Sequence, residues 1–331
     1  MTENGKPKFA MYWAASCGGC EIAVLNIHEA ILDVDANFEI VFWPVAMDAK
    51  YKDVEAMEDG EIFLTLFNGG IRNAENEHLA HLMRQKSQLL IAFGSCATEG
   101  CIPGLANLST SEQIFETVYQ GPSTENDDSV RPQYMTQMPE GIIEIPIFCP
   151  TLRTLRDVVD VDYYIPGCPP ESHQIAAVIG LVISVLNGEA ELPPKGSTIG
   201  VGDSTVCDEC PRERDVKRIK QFTRIQELDH IDPDLCLLEQ GILCMGPATA
   251  SGCDSRCPIA GAPCIGCYGP PVGVLDQGAR MMTALASVID SRDPEEIETI
   301  LDGIVDPAGT FYKFSMAHSL LKAARPSGNG R

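Results

Sequence analysis

The chain has 331 residues, 44% of them hydrophobic, with 24 Lys and Arg against 47 Asp and Glu, for a formal net charge of −23. That length accommodates a large core and two domains, while the acidic balance argues against a nucleic-acid or anionic-membrane surface, both of which need clustered positive charge. Fourteen cysteines, with neither a twin arginine nor an apolar leader in MTENGKPKFAMYW, point to a cytoplasmic, reducing setting in which thiols serve metal or redox chemistry and not a disulfide framework.

In chain order, strand-like runs at 9–13, 38–43, 61–67, 88–93 and 163–165 alternate with helical patterns at 21–32, 74–86 and 172–186. A sixth strand is expected at 142–148. Such alternation reads as an α/β fold, a parallel sheet covered by helices on both faces. The polar stretch GPSTENDDSVRPQYMTQMPE is expected to be a surface insertion. The longest apolar run, IAAVIGLVISVLNG, has about 13 apolar residues and suits a buried helix; a bilayer span takes roughly 20. Periodicity stops in NGEAELPPKGS, which places a domain boundary between 1–195 and 196–331. Beyond it the sequence is rich in Gly, Pro and Cys until a helical tail begins at DQGARMMTALASVID.

Cys17 and Cys20, in AASCGGCEIAVLN, follow the first strand; Cys96, in IAFGSCATEGC, follows the run at 88–93; Cys168, in YYIPGCPPES, follows that at 163–165. In an open parallel sheet the C-terminal ends of all strands lie on one edge, where ligands bind. Four thiols from three loops should therefore converge on a single site. Gly18, Gly19 and Gly94 permit tight turns with N–H groups free to face an anionic cluster, and Pro169 and Pro170 stiffen the last loop.

Past the boundary, Cys207, Cys210, Cys236, Cys244, Cys253, Cys257, Cys264 and Cys267 fall within 61 residues and divide by spacing into two groups of four. Thiolate is a soft ligand that suits zinc or iron–sulfur clusters. Zinc ribbons usually bring strand hairpins and basic knuckles, whereas Pro258, Pro263, Pro270 and Pro271 stand among these cysteines. That favours loops wrapped round an inorganic core, with a zinc-stabilised scaffold as the alternative. Cys101 and Cys149 are left over; Cys101 is close enough to Cys96 to be a substitute ligand or a redox accessory.

The motifs ASCGGCEIAVLN, GSCATEG, PGLAN, IPGCPPES and the tail Cys-x2-Cys, Cys-x7-Cys, Cys-x3-Cys-x6-Cys-x2-Cys resemble the small subunit of [NiFe]-hydrogenases. The likeness is to the cytoplasmic methyl-viologen-reducing, F420-non-reducing branch found with heterodisulfide reductases, and it runs from about Lys8 to the Gly273 region. The N-terminal half also looks like the cluster-bearing subunit of respiratory complex I; the eight C-terminal cysteines set it apart. The resemblance implies a flavodoxin-like domain followed by an irregular iron–sulfur domain with C-terminal helices. Carried over by motif, it assigns Cys17, Cys20, Cys96 and Cys168 to a proximal [4Fe–4S] cluster. Cys253, Cys257, Cys264 and Cys267 would hold a medial one, and Cys207, Cys210, Cys236 and Cys244 a distal one. Many periplasmic relatives have histidine where Cys207 stands and a non-ligating residue where Cys257 stands, so three [4Fe–4S] clusters are expected here. All-cysteine ligation adds negative charge and lowers a cluster's potential. Cys101 stands where relatives commonly carry Gly.

In that family the nickel–iron site lies in a separate large subunit. Its C-terminal Cys-x-x-Cys carries a trailing histidine, a motif missing from this sequence. No catalytic residue is therefore expected in this chain. The expected role is to take electrons from that partner and pass them to a downstream iron–sulfur or flavin subunit of a heterodisulfide-reductase-like complex. The alternative is the same wire in a complex whose large subunit has lost its nickel–iron site. His78 and His81, three apart, read as an exposed helical face, and His173 either as a residue that tunes the cluster of the preceding loop or as a helix N-terminal residue. Glu21 and Glu99 beside the cysteines read as solvated, and GVGDS lacks the strand–helix context of a nucleotide fingerprint.

Overall fold

The computed structural model describes residues 5–215 and 218–322. Its strands are β1 (Lys8–Trp13), β2 (Glu39–Phe42), β3 (Ile62–Asn68), β4 (Ile71–Asn73), β5 (Ser87–Phe93), β6 (Met135–Met138), β7 (Gly141–Glu144), β8 (Phe148–Arg153) and β9 (Tyr163–Ile165). The main sheet has five strands in the order β2-β1-β3-β5-β9, and every pairing in it is parallel. Counting sheet strands alone, this is the 2-1-3-4-5 order of flavodoxin-like folds.

Alternation along the strands supplies two cores. Phe9, Met11, Leu64, Leu66, Ile91 and Phe93 face the helices Gly19–Leu25, Ile31–Asn37 and Ser172–Leu186. Their neighbours Ala10, Tyr12, Phe67, Leu90 and Ala92 face Leu79 and Met83 of the helix Ala74–Lys86. That last helix starts cleanly because Asn73 accepts a hydrogen bond from the Asn76 N–H. With both faces covered, the strands read as near-continuous apolar runs. The six-residue β1, for example, leaves only Trp13 exposed.

Two expectations are corrected. The helix foreseen at 21–32 is interrupted: it ends at Leu25, a 3₁₀ turn follows at His28–Ala30, and a second helix spans Ile31–Asn37. His28 adopts φ 57°, a left-handed conformation that stops a helix. The sixth strand foreseen at 142–148 does not join the sheet. Its first half, β7, pairs with β6 in an antiparallel hairpin, and β8 pairs antiparallel with β4. Pro146 divides them because it has no N–H for a ladder. The insertion is exposed, as is every residue of β6 and β7.

Beyond the helix Ser172–Leu186 the chain still follows the sheet edge. The Tyr164 N–H donates to Ser197 O (3.1 Å), and the Ile199 N–H donates to Tyr164 O (2.8 Å). Then a core without a sheet forms around Val206, Leu237, Ile242, Met245, Met281 and Phe311. The tail comes back to the first half: the Cys101 N–H donates to Phe314 O (3.0 Å), and Phe314 packs with Cys96 and Cys101. Among the described residues no helix is long and apolar enough to cross a membrane.

Candidate metal centres

Short hydrogen bonds fix the loops at the C-terminal edge of the sheet. Ala14 N–H donates to Asn68 O (2.7 Å), and Ala15 and Gly70 exchange a pair of bonds at 3.0 Å. Gly94 N–H donates to Ile165 O (2.7 Å), Ser95 N–H to Gly167 O (2.8 Å), and Gly167 N–H to Ser95 Oγ (2.9 Å). Cys17 on the first loop, Cys20 in the first turn of the helix that follows it, Cys96 in the short helix Ser95–Thr98 and Cys168 on the third loop thus share one edge. Burial raises the Cys20 thiol well above its usual range, and the nearby Cys168, Cys17 and Cys101 sulfurs raise it further. Cys101 is the fifth member: buried, with its Sγ 3.5 Å from Cys168 Sγ.

The other eight cysteines fall into two sets. Burial, then Cys244 and Cys236, push Cys207 up to about 12, against a smaller pull from Arg214, and Cys210 is also in reach. A cavity of about 290 Å³ opens between Cys207, Cys236 and Cys244, with Arg214 and Arg280 on its wall. In the second set, burial and then Cys253, Cys168 and Cys257 raise Cys267 to about 12. Burial and then Cys244 raise Cys264, with Cys267 contributing less.

These influences also order the three sets in space. Cys267, like Cys168, packs against the sheet-edge cluster of Cys96, Cys101 and Phe314, and Ser95 Oγ donates to Cys267 O at 2.6 Å. Cys264 reaches the far set, where its N–H donates to Cys244 Sγ at 3.3 Å. Cys149 lies apart on β8, 4.0 Å from Arg153.

The donor sets fit iron–sulfur clusters. Burial first, and neighbouring sulfurs second, disfavour ionisation of Cys20, Cys207 and Cys267, and a cationic core would offset both. Glycines keep room beside the sulfurs: a Cβ on Gly94 would lie 2.3 Å from Cys20 Sγ, and one on Gly246 would lie 3.0 Å from Cys207 Sγ. Among the described residues no three His, Cys, Asp or Glu side chains close on one point as a single ion needs.

Sequence reasoning missed the burial of both glutamates. Glu21 is 3% exposed and accepts a hydrogen bond from the Trp43 indole N–H. Glu99 is 6% exposed, with Arg156 at 3.7 Å and His318 at 4.0 Å, on the wall of a cavity of about 410 Å³. Arg156 in turn lies 4.0 Å from the centre of the Tyr164 ring. No periodicity marks these partners, which come from distant segments. His78 is exposed as expected, 3.5 Å from Glu55, and His81 is also exposed. His173 lies 3.9 Å from Asp254.

Burial raises the Glu99 carboxyl to about 7 from 4.5, against the pull of Arg156. The folded chain therefore binds more protons than the unfolded one between those values, and stability falls as pH rises through that window. By the usual conversion the effect is about 3 kcal/mol. Glu99→Gln should flatten the decline of the thermal midpoint between about pH 5 and pH 8. An unchanged slope would contradict the assignment.

The family described as NADH ubiquinone oxidoreductase, 20 Kd subunit, matches residues 17–182. The [NiFeSe]-hydrogenase of Dm. baculatum shares the fold, with a TM-score of 0.50, 19% identity, and coverage of 81% of this chain and 96% of that one. Fold and relatives define a hydrogenase electron-transfer subunit, a class in which the active site belongs to the large subunit. Among curated relatives, the iron–sulfur subunit of the F420-non-reducing hydrogenase of Archaeoglobus profundus is 42% identical over 319 residues, 95% of this chain and 96% of its own length. An F420-non-reducing hydrogenase subunit from Methanothermobacter marburgensis is 38% identical over 96% of both chains. The chain belongs to this family of F420-non-reducing hydrogenase iron–sulfur subunits.

Proposed function

We propose that this subunit carries electrons from hydrogen oxidation in a partner large subunit to a downstream, heterodisulfide-reductase-like acceptor. Residues 1–195 would hold a proximal [4Fe–4S] cluster through Cys17, Cys20, Cys96 and Cys168. Residues 196–331 would hold a medial one through Cys253, Cys257, Cys264 and Cys267, and a distal one through Cys207, Cys210, Cys236 and Cys244. Each cluster, when bound, supplies a one-electron carrier. The observation that carries the reading is the continuity of the three thiol sets, through Cys168 and Cys267 at one junction and Cys264 and Cys244 at the other.

The chain's own residues set the environment. Burial of Cys20, Cys96, Cys244 and Cys264 excludes water from the sulfurs, and backbone N–H groups such as that of Cys264 donate to them. Both properties tune cluster potential. The partner face would include the exposed apolar residues that flank Cys17 in the chain, Trp13, Ile22 and Leu25. Aromatic and aliphatic side chains of this kind anchor stable interfaces. In the anaerobic complex, hydrogen should bleach the visible absorption as fully as dithionite does. Bleaching by dithionite alone would overturn the connection to a catalytic partner.

The distal cavity carries exposed arginines on its wall, together with Glu239. Arg214 and Arg280 are exposed on the wall of the distal cavity, and Lys220 is exposed nearby in sequence. An acceptor with an acidic docking face fits there. Arg214→Glu should slow transfer to the acceptor several-fold at low ionic strength, with the difference fading as salt rises. A salt-independent defect would contradict electrostatic docking.

A further inference from the structure

Three polar side chains meet at one cavity without closing on one another. The cavity, of about 410 Å³, is walled by Thr98 and Glu99 in the turn after Cys96 and by Tyr268 and Pro270 after Cys267, and Arg156 and His318 line it too. Glu99 Oε1 is 3.7 Å from Arg156 Nη2, and Glu99 Oε2 is 4.0 Å from His318 Nε2. Both gaps exceed hydrogen-bond reach. Among the described residues Glu99 Oε2, Arg156 Nε and His318 Nδ1 are buried with no hydrogen-bond partner. Buried polar groups are ordinarily paired, so three orphans round one cavity mark a place built for a hydrogen-bonding guest.

The charges indicate the kind of guest. The nearby carboxylates are engaged elsewhere: Asp157 accepts hydrogen bonds from Thr154 and Lys322, and Asp276 accepts them from the N–H groups of Ala279 and Leu320. Arg156 is left without a hydrogen-bonded carboxylate, its guanidinium lying 4.0 Å from the centre of the Tyr164 ring. Burial, with a further push from Arg156, lowers His318 to about 4 and leaves it a neutral imidazole with one N–H. Burial also favours the neutral form of Glu99, and a carboxylic acid kept neutral can donate a hydrogen bond. The remaining wall is largely apolar, with Pro166, Pro270, Pro271, Val272 and Val274. Gly269, at φ 71°, lets this loop lie against Glu99; a Cβ there would be 3.1 Å from Glu99 Cγ.

We propose that this cavity binds a small organic carboxylate, its head held by Arg156 with Glu99 and His318 and its apolar body lying along Pro270, Val272 and Val274. The guanidinium fork matches a carboxylate and carries the one full positive charge among these three side chains. The volume lies within the range of small-molecule sites. A bare inorganic anion would satisfy the head and leave the apolar wall uncovered. The guest takes the place of water between the turn after Cys96 and the loop after Cys267.

The test titrates butyrate and hexanoate calorimetrically into the anaerobically purified complex, with butyramide and inorganic phosphate as controls. Butyrate should saturate a single site in the millimolar range or below, and hexanoate should bind more tightly because its added CH₂ groups are buried. Butyramide and phosphate should each bind at least about tenfold more weakly than butyrate. Arg156→Gln should weaken butyrate binding roughly ten- to hundredfold, and Arg156→Lys should recover part of the loss. Asp203 is exposed on the cavity wall, so Asp203→Asn tests the site without disturbing the buried trio. It should tighten butyrate binding several-fold at low ionic strength, with the gain fading as salt rises. Absence of saturable binding would mean that the cavity holds water alone and would overturn the proposal. Equal binding of butyramide or phosphate would do the same, as would unchanged butyrate affinity in both Arg156→Gln and Asp203→Asn.

Discussion

Cys20→Ala is expected to remove the proximal cluster, roughly four irons, and to bring hydrogen-dependent viologen reduction by the complex to background. Cys20 is 7% exposed and faces Cys17, Cys168 and Cys101 together. Alanine offers no ligand at all, whereas serine would leave a hard oxygen on an iron that prefers sulfur. Iron analysis and a viologen assay on the same preparation check both halves of the result. Full iron with full turnover would show that Cys20 is not a ligand.

Gly94→Ala should produce the same loss without touching a cysteine. Gly94 has φ 81° and ψ 157°, a region essentially closed to other residues and costing them about 1–3 kcal/mol. The added Cβ would lie 2.3 Å from Cys20 Sγ, so the sulfur must move. The expected outcome is an iron-depleted proximal site and a thermal midpoint lower by several degrees. Gly180→Ala is the matched control. It sits inside the helix Ser172–Leu186 with nothing within 4 Å of its added Cβ, and replacing a helical glycine should stabilise by about 0.5–1 kcal/mol. Equal behaviour of the two variants would contradict the account of the Gly94 loop.

The parts of the fold that could be read from sequence are those governed by short-range rules. The 74–86 and 172–186 helices and the strand at 163–165 have the bounds their periodicity indicates, because each apolar pattern is satisfied by one layer of the core. The parallel sheet follows from alternation, and its strand ends bring Cys17, Cys20, Cys96 and Cys168 to one edge. The break after Leu25 was invisible, since it depends on a left-handed His28 in a sequence whose apolar spacing continues as if helical. The hairpin of β6 and β7 was invisible for the opposite reason: Ile142 and Ile143 look like core residues and are exposed.

At the site, the buried glutamates and the contact of Cys101 with Cys168 could not be read either. Glu99 meets Arg156 and His318, 57 and 219 residues further along the chain, and acidic residues next to a glycine-rich turn ordinarily face water. Gln174 gave no signal at all, yet it receives the Tyr268 hydroxyl and donates to the Gly200 and Gly252 carbonyls, tying the helix Ser172–Leu186 to the cysteine-rich body. Tertiary placement decides such contacts, and no local pattern encodes it.

The most direct test of the account is to purify the native complex anaerobically, quantify its metals and assay hydrogen-dependent viologen reduction. The account predicts about twelve irons for this subunit, nickel in the large partner, and turnover. Zinc in place of iron would contradict the clusters, and twelve irons with neither nickel nor turnover would contradict the hydrogenase reading while leaving the wire in place.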